Sequence, residues 1–167
     1  MLSLSVLLCS ACGYQVGDIL KDQTIAVPIF HNNTLYRGYE FFLSDALISE
    51  LLANTSLKVV HSSRAETILY GTITKIRQKT IIKDENRLAT NLDVMVEVNI
   101  EWKDKSTNKS IIPSTSLSET IEVSVQAGQD LNKAITEALR KLARKVIYQM
   151  EHPYWKKNQR NHDKKSK

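Results

Sequence analysis

The sequence predicts an α+β fold, a two-layer sandwich in which a mostly antiparallel sheet carries two helices on one face. Two observations lead there. The predicted elements follow the order β-α-β-β-β-β-α, and both helical segments have an apolar side that needs cover. The chain has 167 residues, of which 42% are hydrophobic and 25% charged, as expected for one ordinary globular domain.

The first elements are a strand and a helix. The segment from Ile25 to Phe30 predicts a short strand with two largely apolar faces. Because Pro28 has no N–H, this strand belongs at an edge or a bulge. A turn is expected over residues 31–34, before a helix from about Tyr39 to Asn54. That helix has few polar positions, so we expect it to be deeply packed.

The middle of the chain predicts the sheet. A possible short strand at 57–60 precedes a β-rich stretch from Thr67 to Ile82, in which Gly71 indicates a bulge or a close backbone approach. Residues 91–102 alternate strictly between apolar and polar, which predicts one face on the core and one toward water. A turn at 104–108 then leads into a strand at 111–125, with a break near Pro113.

The last element is an amphipathic helix that ends at His152-Pro153, with Asp130 as a candidate N-cap. Glu137 and Lys141 are favourably placed i,i+4 partners on its polar side. Its apolar stripe comprises Leu131, Ile135, Ala138, Leu139, Leu142 and Val146.

The N-terminus predicts a lipoprotein. An apolar segment ends in two small residues followed by Cys12, the pattern in which the cysteine thiol receives a diacylglycerol and becomes the new N-terminus. Residues 1–11 are then a signal peptide, 12–23 a lipidated linker and 24–152 the folded domain. The signal is short and has no basic residue before its apolar stretch, so the true start codon can lie upstream.

Other interpretations of this segment stay open. Residues 1–11 can form a first strand, or Cys9 and Cys12 a redox pair, a metal pair or a disulfide. A metal site needs further ligands, but there is no second cysteine pair and the four histidines are scattered.

Residues 153–167 form a basic tail, with six Lys or Arg residues and one Asp. The tail carries a net charge of +5, which equals the net charge of the whole chain, so the rest of the chain is neutral. Low hydrophobicity with excess charge predicts disorder. Such a tail suits lipid headgroups or nucleic acid, or it merely improves solubility. An export signal disfavours nucleic acid as a partner.

The sequence contains no recognisable active site. A phosphate loop and a nucleophile elbow are absent, and Asp93, Glu97 and Glu101 lie on the expected wet face of a strand as solvated charges. We therefore predict no catalytic residue, no metal and no cofactor, and favour a binding or assembly module over an enzyme.

The best candidate surface is the charged segment 77–87. On an extended strand Arg77, Lys79 and Lys83 point to the same side, where cations bond phosphate oxygens while Ile81 and Ile82 touch acyl chains. This pattern suits a phosphorylated amphiphile. The alternative is an ordinary hydrated hairpin.

Several motifs in order behind Cys12-Gly13-Tyr14 resemble the LPS-assembly lipoprotein family, LptE. They are Ile25-Ala26-Val27-Pro28-Ile29-Phe30, Asn32-Asn33-Thr34, Glu40 and Ala65-Glu66-Thr67-Ile68-Leu69-Tyr70-Gly71-Thr72-Ile73. The similarity covers roughly residues 9–150. This chain departs from the family in its short signal, in Cys9 where Leu is usual, in Glu66 where Asp is usual, and in its basic tail.

The resemblance implies a two-layer α/β fold on the periplasmic side of the outer membrane, held by a lipid on Cys12. Members of the family insert into the β-barrel LptD, help it assemble and bind lipopolysaccharide for delivery to the outer leaflet. Basic residues at a hairpin tip take part in that binding, and their nearest match here is Lys79, Lys83 and Arg87, beside Arg77. Two alternatives remain: another periplasmic lipoprotein adaptor, such as a cell-wall synthase activator or a secretion pilot, and a basic nucleic-acid-binding domain.

Overall fold

The computed structural model describes residues 23–82, 89–124 and 131–152. Six strands and two helices occupy this part of the chain. In order they are β1 (Thr24–Ala26), β2 (His31–Asn32), α1 (Tyr39–Asn54), β3 (Lys58–Val59), β4 (Thr67–Ile82), β5 (Ala89–Asp104), β6 (Ser110–Ser124) and α2 (Leu131–Glu151).

The strands form one open sheet in the order β3-β1-β4-β5-β6, and β2 pairs separately with β4. The long strands β4, β5 and β6 are antiparallel, whereas β1 and β2 run parallel to β4 and β3 runs parallel to β1. The inward residues of the long strands share one hydrophobic core with the apolar sides of both helices. The predicted α+β sandwich, mostly antiparallel with two helices on one face, is confirmed.

The predicted first strand is too long. Pairing stops after Ala26 and resumes only at His31–Asn32, where a turn was expected. The break includes Pro28, which cannot donate a ladder hydrogen bond. After the break the chain pairs with a later part of β4, at Thr72 and Ile73.

The core lies between the sheet and the helices. Helix α1 has the predicted bounds, and its leucines at i+4 spacing, Leu43, Leu47 and Leu51, are fully buried. Its packing is less complete than expected, because Phe41 and Leu52 are 56% and 63% exposed. Strand β5 contributes its alternate residues to the core, with Trp102 the largest fully buried side chain.

Each long strand contains an irregularity. In β4 the register against β5 shifts between Ile73 and Lys75, so the face that each later residue occupies changes there. In β6 the four residues from Ile112 to Thr115 oppose three on β5, from Ile100 to Trp102, at the break expected near Pro113.

The sheet and the helices define two ends of the molecule. At the lower end, Thr24 pairs with Lys58, Thr67 pairs with Asp104, and β6 begins. Helix α1 also ends there, beside the last turns of α2, and Asn54 lines one groove with Tyr148 and Glu151. At the upper end both helices begin, and the Tyr39 hydroxyl donates a 2.9 Å hydrogen bond to Asn132 Oδ1.

Both ends of the domain, Gln23 and His152, therefore lie at the lower end.

In the three described ranges, neither helix has the length and hydropathy needed to cross a bilayer.

Candidate functional site

The sheet face opposite the helices is polar and open to solvent. After the irregularity at Thr74, the residues of β4 on this face are Lys75, Arg77 and Lys79, and all three side chains are exposed. Since directly paired residues share a face, this cationic row lies beside a row from β5. The β5 row comprises Asp93, Met95, Glu97, Asn99 and Glu101.

Two of the three β4 cations have a carboxylate as their direct cross-strand neighbour. Lys79 pairs in register with Asp93, and Lys75 Nζ lies 3.4 Å from Glu97 Oε2. A hydrogen bond from the Thr74 hydroxyl, followed by the bond and charge of Lys75, lowers the pKa of Glu97. Arg77 has Met95 opposite it. The cationic row therefore lies beside a row that contains carboxylates. Arg77 differs from Lys75 and Lys79 because its direct cross-strand partner, Met95, carries no charge.

The lower half of the open face is arranged in the same way. Glu101 accepts a 2.6 Å hydrogen bond from the Ser110 hydroxyl and lies 3.0 Å from Lys103 Nζ. These contacts, the hydroxyl bond first, lower the pKa of Glu101. The three acids of β5 are solvated or paired strand charges, as predicted.

Two of the four predicted cations lie in the described structure. Arg77 and Lys79 are on the same face, two residues apart and toward the upper end, as the extended-strand pattern predicted. Lys83 and Arg87 fall outside the described residues, as do Cys12, the linker and residues 153–167. The described ranges contain no group of three or more His, Cys, Asp or Glu residues able to hold a metal ion.

The motif residues Asn32 and Glu40 have a structural role. The Asn32 amide nitrogen donates to Glu40 Oε2 and to the Tyr36 carbonyl, both at 2.7 Å, while its oxygen accepts from the Thr34 backbone N–H. Glu40 also accepts from the Gly38 N–H at 3.0 Å. The bond from Asn32 is the largest cause of a lowered pKa at Glu40. This network fixes the loop that leads into α1.

Glu66 has a comparable role at the lower end. Its Oε2 accepts hydrogen bonds from the backbone N–H of Thr24 at 2.9 Å and from the Thr24 hydroxyl at 3.1 Å. The Glu66 N–H donates back to that hydroxyl at 3.0 Å. These contacts hold the start of β1 against the start of β4. A single carboxylate oxygen, Oε2, accepts both hydrogen bonds from Thr24.

Sequence reasoning missed a groove between the edge strand β6 and helix α2. It has a volume of about 350 Å³, and its polar lining includes Thr120, Glu122, Lys133, Glu137 and Lys141. No local sequence signal marks such a groove, because it depends on how an edge strand and a distant helix meet.

These elements, in this order, match one family along almost the whole domain. The family model for LptE, lipopolysaccharide-assembly, matches residues 23–150. The chain belongs to the LptE family. This match confirms the resemblance found in the sequence motifs. The first strand, the first helix and the stretch 65–73 all lie within the matched residues.

Solved structures share the LptE-like fold at low sequence identity. A hypothetical protein from Chlamydia trachomatis is 13% identical with a TM-score of 0.56, and the match covers 78% of this chain and 96% of that one. A minor lipoprotein from Acinetobacter baumannii is 10% identical, with a TM-score of 0.53 and coverage of 77% and 92%. An uncharacterized lipoprotein B from Nitrosomonas europaea is 11% identical, with a TM-score of 0.53 and coverage of 79% and 84%.

These identities establish a common fold and nothing finer. The search of curated proteins finds no match to this chain.

Proposed function

We propose that this LptE-family chain is an outer-membrane lipoprotein held on the periplasmic side by acyl chains on Cys12. Residues 1–11 are its signal peptide, 12–23 its linker, 24–152 its folded domain and 153–167 its basic tail. It partners and plugs an LptD-type β-barrel, assists the assembly of that barrel, and takes part in delivering lipopolysaccharide to the outer leaflet. It acts by binding and not as an enzyme.

The family match over residues 23–150 carries this proposal, since it spans nearly the whole domain and names lipopolysaccharide assembly. Moving an amphiphile between membranes requires binding and release without any change of covalent bonds. A protein with a polar sheet face and a basic row is suited to that task.

The lipopolysaccharide contact is assigned to Arg77, Lys79, Lys83 and Arg87. Phosphate groups form strong charge-assisted hydrogen bonds with Arg and Lys. Arg77 and Lys79 are exposed on one face, and Arg77 lies opposite the uncharged Met95. A guanidinium without a carboxylate directly opposite it is the best first contact for a phosphate, so we expect Arg77 to contribute more than Lys79.

The barrel contact is assigned to the segment from Ile29 to Phe41. Three large apolar side chains of this segment, Ile29, Leu35 and Phe41, are 59%, 95% and 56% exposed. Large exposed apolar side chains in one segment are typical of protein-protein contacts. The Asn32 network holds this loop in place, which reduces the entropy lost on docking.

Binding of purified lipopolysaccharide to the detergent-solubilised chain tests the ligand. Arg77→Gln/Lys79→Gln should weaken it at least tenfold, by loss of two charge-assisted contacts. The matched control is Lys133→Gln/Arg140→Gln, which removes two exposed cations from α2 and should leave binding unchanged. If the two double variants bind lipopolysaccharide with equal affinity, the assignment of the binding site to Arg77 and Lys79 is wrong.

Labelling with a palmitate analogue tests the anchor. The wild-type chain should be labelled in bacteria, and Cys12→Ala should not. Cys9→Ala serves as the matched control, because the neighbouring cysteine is not the predicted acylation site. Labelling that persists in Cys12→Ala would contradict the lipoprotein interpretation.

A further inference from the structure

A second groove, the β4 groove, lies between the loop that follows β2 and the upper half of β4. It has a volume of about 260 Å³. Its lining includes Asn33, Thr34 and Tyr36 from the loop, and Thr74, Lys75 and Arg77 from β4. Arg77, already assigned to lipopolysaccharide, therefore borders a shaped site as well as the open face. Lys75, which the sequence pattern did not single out, borders the same site.

The β4 groove exists because β4 loses its neighbour on this side. Strand β2 pairs with β4 only at Thr72 and Ile73, and the Asn33 N–H then donates a 3.0 Å hydrogen bond to the Ile73 carbonyl. Beyond that point, no strand of the described ranges pairs with this edge of β4. The register shift against β5 falls at the same place, between Ile73 and Lys75. The end of β2 pairing therefore sets where the groove begins.

The loop wall of the groove is held in place by its own hydrogen bonds. The Gln78 amide nitrogen donates a 2.6 Å hydrogen bond to the Tyr36 hydroxyl, which joins the loop to β4 just beyond the groove. The Thr34 hydroxyl donates to Asn32 Oδ1 at 2.7 Å and accepts from the Tyr36 N–H at 3.2 Å. A wall that is already ordered lowers the entropy lost when a ligand binds.

The charges around the groove leave one cation without an acid. Lys75 Nζ lies 3.4 Å from Glu97 Oε2, and Arg37 in the loop is attracted to Glu40. Arg77 forms no ion pair with any residue of the described ranges. Its planar guanidinium can bond two oxygens of one phosphate, and Lys75 can supply a further donor. The groove therefore suits an anionic group.

The rest of the lining suits hydroxyl groups better than an acyl chain. The Thr34 hydroxyl proton is used on Asn32, and the Thr74 hydroxyl proton is used on the carbonyl and Oε1 of Glu97. Both threonine oxygens retain a lone pair and can accept a hydrogen bond from a ligand. The Asn33 side chain is exposed and can donate as well as accept. An acyl chain would cover these groups without bonding them, which costs free energy.

We propose that the β4 groove binds one phosphorylated sugar. Arg77 and Lys75 hold its phosphate. Its hydroxyl groups bond the side chains of Asn33, Thr34 and Thr74. The inference deepens the proposed function, on which it rests for the natural ligand, by naming the sugar-phosphate part of lipopolysaccharide as the group that this site recognises. Because the loop wall belongs to the segment assigned to the barrel, the bound sugar would lie where this chain meets its barrel.

NMR titration of the isotope-labelled full chain carrying Cys12→Ser with glucose 1-phosphate tests the groove without acylation or lipopolysaccharide. The backbone amide signals of residues 33–36 and 74–77 should shift, and glucose 1-phosphate should bind more tightly than inorganic phosphate or glucose. Arg77→Gln should weaken its binding about tenfold, by loss of charge-assisted hydrogen bonds. Lys75→Gln should weaken it about threefold, because Lys75 is shared with Glu97.

Asn33→Ala separates the contribution of the sugar from that of the phosphate. It should weaken binding of glucose 1-phosphate about threefold, by loss of a hydrogen bond to the sugar, and leave binding of inorganic phosphate unchanged. The matched control is Arg64→Gln, which removes an exposed cation far from the groove and should bind as the parent does. Thermal melting of each variant checks that the fold is retained.

The proposal is overturned if Arg77→Gln binds glucose 1-phosphate as tightly as Arg64→Gln does, if inorganic phosphate binds as tightly as glucose 1-phosphate, or if the shifted amides lie outside the groove. A chain that binds lipopolysaccharide but not glucose 1-phosphate would contradict this inference and leave the proposed function intact. A chain that binds glucose 1-phosphate in the groove but not lipopolysaccharide would contradict the proposed function and leave the sugar-phosphate site.

Discussion

The Phe30 ring lies directly over the backbone of Gly71. A Cβ atom built on Gly71 would lie 1.8 Å from Phe30 Cε2, far inside contact distance. Phe30 is itself held in place, since its N–H donates a 2.9 Å hydrogen bond to the Ser44 hydroxyl of α1. Strand β4, the segment before β2 and helix α1 therefore meet at one point that has no room for a side chain.

Gly71→Ala should lower the free energy of unfolding by about 3 kcal/mol, because the aromatic ring has to move out of a packed core. Denaturant unfolding measures the loss. Thr72→Ala, at the next position on the other face, should cost less. The double variant Gly71→Ala/Phe30→Leu should lose less than the sum of its single changes, and strict additivity would show that the ring does not oppose the methyl group.

Asn32→Ala should destabilise the domain by about 2 kcal/mol, since it removes four hydrogen bonds in the loop before α1. The matched control is the neighbouring exposed residue, Asn33→Ala, with a near-zero effect expected. Chemical denaturation compares the two. Equal losses would show that the amide network does not stabilise this loop.

Asp104→Ala should destabilise the domain at neutral pH and much less at pH 2. Hydrogen bonds from the Thr107 backbone N–H and the Ser106 hydroxyl lower the pKa of Asp104 to about 2. A lowered folded-state pKa gives stability that is complete above the ordinary aspartate pKa of 3.8 and is lost as pH falls through about 2. Urea unfolding of both chains between pH 7 and pH 2 should show the gap closing, and a constant gap would contradict this role.

Gln149→Met should raise the free energy of unfolding by about 1 kcal/mol. Gln149 is only 6% exposed, and its amide nitrogen has no hydrogen-bond partner within the described ranges. An apolar side chain of similar length removes the desolvation cost of that donor. Gln78→Met is the control, because Gln78 differs from Gln149 in both respects. Its side chain is exposed, and its amide nitrogen donates a 2.6 Å hydrogen bond to the Tyr36 hydroxyl. Thermal melting that falls for Gln149→Met would contradict the prediction.

The periodic elements were predictable from the sequence. The i+4 leucines of α1 and the alternation of β5 are local patterns, and both were confirmed with nearly the expected bounds. The close backbone approach at Gly71 was also predicted, although the sequence could not say that Phe30 makes it. A contact between residues 41 positions apart depends on tertiary packing.

The first strand was the least accurate element. Apolar residues from Ile25 to Phe30 predicted one continuous strand, but pairing breaks over Val27–Phe30 and resumes at His31. The exposed side chains of Phe41 and Leu52 were likewise unexpected, because an apolar composition does not reveal which side of a helix lacks a neighbour.

The candidate site was predictable in part. Alternation along β4 predicted that Arg77 and Lys79 share one face, as observed. Which β5 residues lie beside them could not be predicted, because this depends on the register shift at Thr74. The carboxylates beside those cations follow from strand pairing. The contact of Lys105 with the carbonyls of Ser62 and Ser63 was not predicted, since these residues are distant along the chain and are joined only by the fold.

Recovery of partners by the tagged, acylated chain tests the central claim most directly. Outer membranes are extracted in mild detergent, and the captured proteins and lipids are identified by mass spectrometry, with the Leu35→Glu/Phe41→Glu chain as the matched control. The account predicts one large β-barrel protein and lipopolysaccharide with the wild-type chain, and much less barrel with the control. Recovery of a cell-wall synthase, a secretin or nucleic acid in place of a barrel would contradict it.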